Sequence, residues 1–410
     1  MVLLDIAHPS FKADLYPQLA RLRESAPVHR VRMGRQPAWL VLRYDDVERL
    51  LRDGRFVKDR ASLRSGSPGR DGGLGGGLGG WLAGPLKPLL RNMLDTDEPD
   101  HRRLRGLVQK AFTPRRVQEM ENRIRELAEG LMSELTGAGA GPVDLIAGYA
   151  LPLPATVIAE LLGVPVEDRH RFHRWTRAIV SVESAGIRMV RALPSVIAFV
   201  SYLRRLIAER RRDPRDDLVG ALVRAEEAGD RLTEDELVAM LFLLLVAGHE
   251  TTVNLIGNGT LALLEHPAAL EALRADPALV ADAVEEMLRY DGPLLTATER
   301  WASETMELGG VTIEKGDLVL AGLASANRDP RQFEAPDRFD VRRRPNPHLS
   351  FGKGVHFCLG APLARLEGRI AFETLLNCPR LELAVPRDEL RRRRGPVLCG
   401  LESLPVRLTE

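Results

Sequence analysis

The sequence predicts a mainly α fold with a small β portion. Three observations predict it. Apolar residues recur at helical spacing along most of the 410 residues. Strand candidates are few and short: Val28–Val31, Ala38–Leu42, Val311–Ile313 and Leu318–Ala321. A long apolar segment follows Thr233-Glu-Asp-Glu236, a capping-box sequence that starts a helix, and runs to just before Pro267.

Taken in chain order, Val28–Val31 and Ala38–Leu42 are expected to form a small sheet near the N-terminus. Residues 71–80 are a glycine-rich run read as a loop. No Gly-Lys-Ser/Thr follows it, so it is not a phosphate cradle. In the next helix, His101 and Arg105 share a face at i, i+4. The middle of the long helix, Met240 to Val246, is apolar all round and is expected to be buried. Ala247-Gly-His-Glu-Thr-Thr252 follows. A charge and two hydroxyls in a buried helix cost free energy unless they are satisfied or used, and Gly248 costs about 1 kcal/mol against Ala. Ala247, Gly248 and Thr251 clear space on one face and put a hydroxyl into it. The alternative for Thr251 is a hydroxyl bonded back to the carbonyl of residue 247. His249 reads as structural. Glu286 and Arg289 can pair at i, i+3, in isolation a weak surface contact. Val311–Ile313 and Leu318–Ala321 flank Glu314-Lys-Gly-Asp317, which has hairpin-turn composition. No repeat or linker divides the chain, so residues 1–410 are read as one domain.

The most informative stretch is Phe351-Gly-Lys-Gly-Val-His-Phe-Cys358-Leu-Gly360. A cysteine sits in a glycine-rich loop, and a helical pattern with Pro362 in its first turn starts directly after it. The backbone N–H groups and dipole of that helix start favour thiolate. The glycines let the backbone approach something flat and large, and Phe351 and Phe357 would shield the sulfur. From the residues alone, Cys358 is a thiolate metal ligand or a nucleophile, with a buried structural cysteine as the bland alternative.

Composition narrows the classes. There are 58 basic and 57 acidic residues, a net charge of +1. That balance gives no argument for nucleic acid or an anionic membrane as partner. Three cysteines, Cys358, Cys378 and Cys399, with no Cys-x-x-Cys pair, point to a reducing setting and disfavour a disulfide framework or a zinc site. Met1 to Leu19 has neither a basic start nor a long apolar core, so no signal peptide is expected. The longest apolar run, Leu237 to Ala247, is too short to span a bilayer. A soluble cytoplasmic protein is expected.

The pattern Phe-x-x-Gly-x-x-x-Cys-x-Gly at 351–360 resembles the haem-ligand loop of the cytochrome P450 family. The segment 247–252, the Glu286-x-x-Arg289 pair and His101–Arg105 followed by Lys110-Ala-Phe-Thr-Pro114 occur in the family's order. The resemblance spans nearly the whole chain, to Val406, and is closest to soluble bacterial members that take electrons from a separate ferredoxin. It implies the P450 fold and one haem b. Cys358 would be the axial thiolate, with Phe351 beside it, and His101, Arg105, Arg300 and His356 would hold the propionates. Glu250 and Thr251 would relay protons for O–O cleavage, and Arg338 would join Glu286 and Arg289 as a structural lock. Leu243, Leu244, Ala247, Leu294 to Ala297 and Val397 to Leu401 would line the substrate pocket, and the 71–80 run would fall in its lid. Lys353, Arg365, Arg102, Arg103 and Lys110 would form a docking patch for an acidic ferredoxin. The implied activity is insertion of one oxygen atom from O2 into an apolar small molecule, by hydroxylation or epoxidation. The electrons would come from NAD(P)H through a reductase and the ferredoxin. The rivals are a peroxide-driven peroxygenase and a non-catalytic haem sensor or carrier. The latter conflicts with placing Glu250 and Thr251 in a buried helix.

Overall fold

The computed structural model describes residues 3–34, 36–60, 63, 89, 92–137, 139, 141–180, 187–227 and 232–409. The glycine run 71–80 lies outside them. The chain divides into two compact units, one of Met1–Phe56, Val117–Pro154 and Glu250–Glu410, the other of Val57–Arg116 and Ala155–His249.

The first unit contains the β portion. Val28–Met33 pairs antiparallel with Gln36–Val41, as expected, from Val28 opposite Val41 to Met33 opposite Gln36. Leu318–Ala321 runs parallel to Gln36–Val41 and antiparallel to Arg300–Ala302, with Phe56–Val57 at the far edge. Side chains alternate along the central strand. Val319 and Ala321 enter a core with Tyr44, Val47, Leu51 and Phe333. Leu318 and Leu320 enter another with Phe11, Leu15 and Leu19.

The hairpin expected across Glu314–Asp317 does not form. Val311–Ile313 pairs instead with Met306–Leu308, with Leu308 opposite Val311. Gly309 and Gly310, at φ +58° and +80°, supply the two left-handed residues that a tight hairpin requires. Leu318–Ala321 is buried on both faces and therefore belongs at the centre of the larger sheet. A further sheet places Pro405–Thr409 between Val143–Asp144 and Arg380–Leu383.

The long helix spans Glu234–Glu265. Thr233 caps it as expected. The Glu236 amide donates to Thr233 Oγ1 (3.2 Å), and Glu236 Oε2 accepts from the Thr233 amide (2.8 Å). By length and composition this helix could cross a membrane, but 67% of its most apolar window is buried within the protein, as in a core helix. It is not buried all round. Met240, Leu241 and Leu245 are enclosed, whereas Leu243, Leu244, Gly248 and Thr251 are half-buried and Ala247 is exposed. These five lie at i, i+1, i+4, i+5 and i+8 on one face, flanked on its other side by Phe242 and Val246, which are also half-buried. An all-apolar sequence does not reveal which of its faces meets a neighbour.

In the second unit, helix Asp100–Ala111 packs on Leu218–Glu227. Phe172 and Phe199 meet edge to face at 5.5 Å, and Trp175 lies 5.5 Å from Tyr202. Buried Arg210 donates to Asp217 (2.5 Å) and to the Gly163 carbonyl (2.7 Å), so its charge is paired.

Candidate active site

The cysteine loop is shaped by its own backbone. Gly352 and Gly354 both adopt φ +70°, and the Cys358 amide donates to the Phe351 carbonyl at 2.8 Å. A Cβ on Gly354 would stand 2.8 Å from the carbonyl oxygen of Leu51, so only glycine lets the loop lie against the helix Tyr44–Arg52. The helix Ala361–Leu376 follows, with Pro362 in its first turn. Cys358 is exposed, while Cys378 and Cys399 are buried. Burial pushes both buried thiols up, against the lowering charges of Arg274 and Arg392. Of the three, Cys358 alone has the access that a reactive or ligating cysteine needs. Beside it, Val355 (55%) and Phe357 (38%) are among the most exposed large apolar side chains described.

A polar clamp fixes Phe351. The Arg365 guanidinium sits 4.5 Å from its ring centroid, the His348 ring lies 5.9 Å away, and Phe357 is 6.3 Å away. Arg365 donates twice to Glu285, at 2.7 and 2.8 Å, and His348 Nε2 lies 3.1 Å from the same carboxylate. The Ser350 amide donates to His348 Nδ1 (3.2 Å), which leaves Nε2 carrying the proton for Glu285. Burial works against the Glu285 charge. The Arg365 and His348 hydrogen bonds overcome it and hold the carboxyl at about 2.

On the long helix, His249 is buried with Nδ1 2.9 Å from the Leu245 carbonyl, a structural placement. Thr252 is buried and Thr251 half-buried on the open stripe. Glu250 is buried and ion-paired with Arg393. Arg393 lies in the segment 391–401, which meets residues 293–297. Leu294 is bridged to Leu398, the Leu295 amide donates to Val397 O (2.8 Å), and the Cys399 amide donates to Pro293 O (2.8 Å). The structure thus brings together the two loop segments read as pocket lining, and Leu294, Ala297, Val397 and Leu398 remain partly exposed. Asn258 of the long helix ties both down, donating to Asp291 O (3.0 Å) and Cys399 O (2.8 Å). A Cβ on Gly400 would lie 1.9 Å from Asn254 Oδ1, so this approach also needs glycine.

Arg300 is buried on the strand Arg300–Ala302, and His356 is half-buried on the turn Gly354–His356. Both belong to the first unit. His101 and Arg105 share their helix face in the second unit. Burial pushes the His101 imidazole down, opposed by its contact to Glu98 and reinforced by the Arg105 charge. Of the basic residues read as a docking patch, Arg102 and Lys110 are exposed, Arg102 lying 3.1 Å from Glu98. Lys353 is half-buried, and Arg103 and Arg365 are paired with Glu236 and Glu285.

Glu286 and Arg289 form the structural pair that the resemblance implies, fully buried with Nε–Oε2 2.7 Å and Nη2–Oε1 2.8 Å, and only its third member is corrected. Its third cation is Arg343, 3.2 Å from Glu286 Oε2. The Arg338 side chain points to solvent near Asp340, and only its backbone carbonyl takes part, accepting from Arg289 Nη2 (3.1 Å). The resemblance implied Arg338 through the motif Asp337-Arg-Phe339, but nothing in that motif specifies which arginine turns inward. Sequence reasoning also missed Arg393, Glu285 and His348. The distance along the chain between Glu250 and Arg393, and between Glu285 and His348, hides both contacts.

Comparison with known proteins agrees with this geometry. The cytochrome P450 family model matches residues 81–407. The polyketide biosynthesis cytochrome P450 PksS of Bacillus subtilis is 43% identical, covering 98% of each chain, and the monooxygenase PikC of Streptomyces venezuelae is 46% identical, covering 97% of this chain and 92% of that one. The solved structure of PksS covers all of both chains with a TM-score of 0.90. That of a myxobacterial cytochrome P450 in complex with myristic acid gives 0.88 at 44% identity, covering 99% of each. With an accessible cysteine in a glycine-shaped loop, the acid and alcohol on the long helix and a family match along most of its length, the chain belongs to the cytochrome P450 family and is a monooxygenase.

Proposed function

We propose that the chain uses O2 and ferredoxin-delivered electrons to hydroxylate or epoxidise an extended apolar small molecule of polyketide or fatty-acyl type. The observation that carries this is the open stripe of the long helix. Its upper part, Leu243, Leu244 and Ala247, offers apolar surface, and its lower part presents the Thr251 hydroxyl next to Glu250 in sequence. The substrate class rests on relatives. PksS is named for polyketide biosynthesis, and the myxobacterial structure holds myristic acid. End-to-end alignment with PksS supports one domain over 1–410, and likeness to bacterial P450s supports a cytoplasmic location.

A haem, read as haem b, suits the residues present. A soft thiolate donor at Cys358, flanked by exposed Phe357 and Val355, suits a large, flat, apolar, iron-containing group. Cys358 would ligate its iron, Phe351 would cover the sulfur, and Arg300 and His356 would supply donors to its carboxylates, the role that the family resemblance also implies for His101 and Arg105. When bound, the haem supplies O2 activation, favoured by electron donation from the thiolate. The protein's own residues do the rest. Leu243, Leu244 and Ala247 exclude water and orient an apolar chain. Glu250 takes up a proton and passes it toward the Thr251 hydroxyl.

The test is turnover with ferredoxin, reductase and NAD(P)H, against peroxide alone, with Thr251→Ala in parallel. Thr251→Ala should still consume NAD(P)H but divert most of it to peroxide. Wild-type coupling in Thr251→Ala would remove the hydroxyl from the relay, and equal turnover with peroxide alone would favour the peroxygenase. Cys358→His should abolish the red-shifted Soret band of the reduced, carbon-monoxide-bound protein. Retention of that band in Cys358→His would overturn the ligand assignment.

A further inference from the structure

Glu250 is a buried carboxylate whose described cation, Arg393, arrives from a segment more than a hundred residues away. The segment that carries Arg393 is anchored without this pair. Lys12, itself buried, donates to the carbonyls of Arg393 (2.8 Å) and Leu398 (2.6 Å). Arg392 donates to Asp291 (2.7 Å), which also accepts from Tyr16 Oη (2.7 Å). The Arg393 amide donates to Gly400 O (2.9 Å), and Asn258 holds Cys399 O. Burying a further ion pair adds a desolvation cost and no anchoring that the segment lacks. Its geometry is asymmetric as well. The Glu250 side chain is 5% exposed and that of Arg393 is 23% exposed, so the guanidinium spans from the buried acid toward water.

We propose that Arg393 is a positioning residue for proton delivery, holding Glu250 as a carboxylate between turnovers and setting how readily it takes up and releases each proton. This rests on the reading of Glu250 as a proton carrier. An adjacent guanidinium favours the charged carboxylate, whereas burial without one favours the neutral acid. A carrier must accept a proton and also give it up, and one that holds its proton too tightly stalls. In each cycle Glu250 takes one proton from water on the Arg393 side and releases it toward Thr251, returning to carboxylate. Arg393 neither gains nor loses a proton.

The experiment compares Arg393→Met, Arg393→Lys, Glu250→Gln and the double variant Arg393→Met/Glu250→Gln, all haem-loaded. Infrared difference spectra of the resting protein should show a carboxylic-acid C=O stretch in Arg393→Met that is absent from wild type and from the double variant. Turnover of Arg393→Met should fall roughly tenfold or more, with a larger solvent isotope effect, and Arg393→Lys should recover most of it. If Glu250→Gln is slow but Arg393→Met matches wild type and shows no new band, Arg393 merely packs the segment and the inference fails. If Glu250→Gln itself turns over with wild-type coupling, the proton-carrier reading fails, whatever the band shows.

Discussion

Replacing Arg343 by methionine should destabilise the protein far more than the same change at Arg338. The Arg343 side chain is 11% exposed and reaches four acceptors: Glu286 at 3.2 Å, and the carbonyls of Glu334 (2.8 Å), Ala335 (3.2 Å) and Arg338 (3.2 Å). A hydrogen bond to a buried charged group contributes about 1.5–3 kcal/mol, and an exposed one to a carbonyl about 0.5–1.5 kcal/mol or less. Glu286 keeps Arg289, the Asp340 amide (2.8 Å) and Asn346 (3.3 Å) after the change, so its charge is not stranded. The net loss is therefore about 3 kcal/mol, at the low end of the ~3–5 kcal/mol of a buried pair broken outright. Arg338 is 72% exposed and 3.7 Å from Asp340, a contact whose loss costs about 0–1 kcal/mol. For a chain of 410 residues melting cooperatively, the Arg343 variant should lose roughly 3–4 °C and the Arg338 variant less than ~1 °C. Circular dichroism melts of the haem-loaded proteins measure this, with loss of the Soret band as a second probe. Equal losses in the two variants, or the greater loss at Arg338, would refute the placement of Arg343 as third partner.

Two further outcomes follow from the same geometry. The Glu285 carboxyl is held at about 2 against an ordinary 4.5, so it contributes stability that is present above about 4.5 and is lost as pH falls toward about 2. Glu285→Gln should flatten acid unfolding across that window and loosen the clamp on Phe351, and an unchanged acid transition would exclude the Arg365–Glu285–His348 network as its source. Gly400→Ala should cost about 1–3 kcal/mol through the clash with Asn254, read by urea unfolding. Asn254→Ala, which removes the clashing amide without placing a glycine in the helix, should restore most of the loss in the same chain, and failure of that rescue would place the strain elsewhere.

Local chemistry made much of the site legible before the structure. The capping box at Thr233 and the helix start after Cys358 are contacts within a few residues, so sequence spacing alone specifies them. The Gly354 requirement is different. The sequence marks a glycine loop, but the reason is the Leu51 carbonyl three hundred residues earlier. The misplaced hairpin has the same origin. Gly309-Gly310 and Glu314–Asp317 both turn the chain, and only the burial of Leu318–Ala321 on two faces decides which turn closes a hairpin.

The long helix shows what periodicity can and cannot yield. Its length and cap follow from the sequence, but its apolar middle gave no sign of which stripe stays open. That stripe falls on Leu243, Leu244, Ala247, Gly248 and Thr251, where small residues and a hydroxyl interrupt the large apolar ones. Glu250 sits one residue off the open stripe and is buried, which would strand its charge without a cation from another segment. The need for a partner was therefore readable from the sequence, whereas its identity was not. Residues 391–394 are four consecutive arginines. In the structure Arg391 donates to the Asp388 carbonyl, Arg392 pairs with Asp291, and Arg393 reaches Glu250. Three of these four identical side chains thus have separate tasks, assigned by the tertiary contacts that orient each, and the one turned toward the acid can govern its charge.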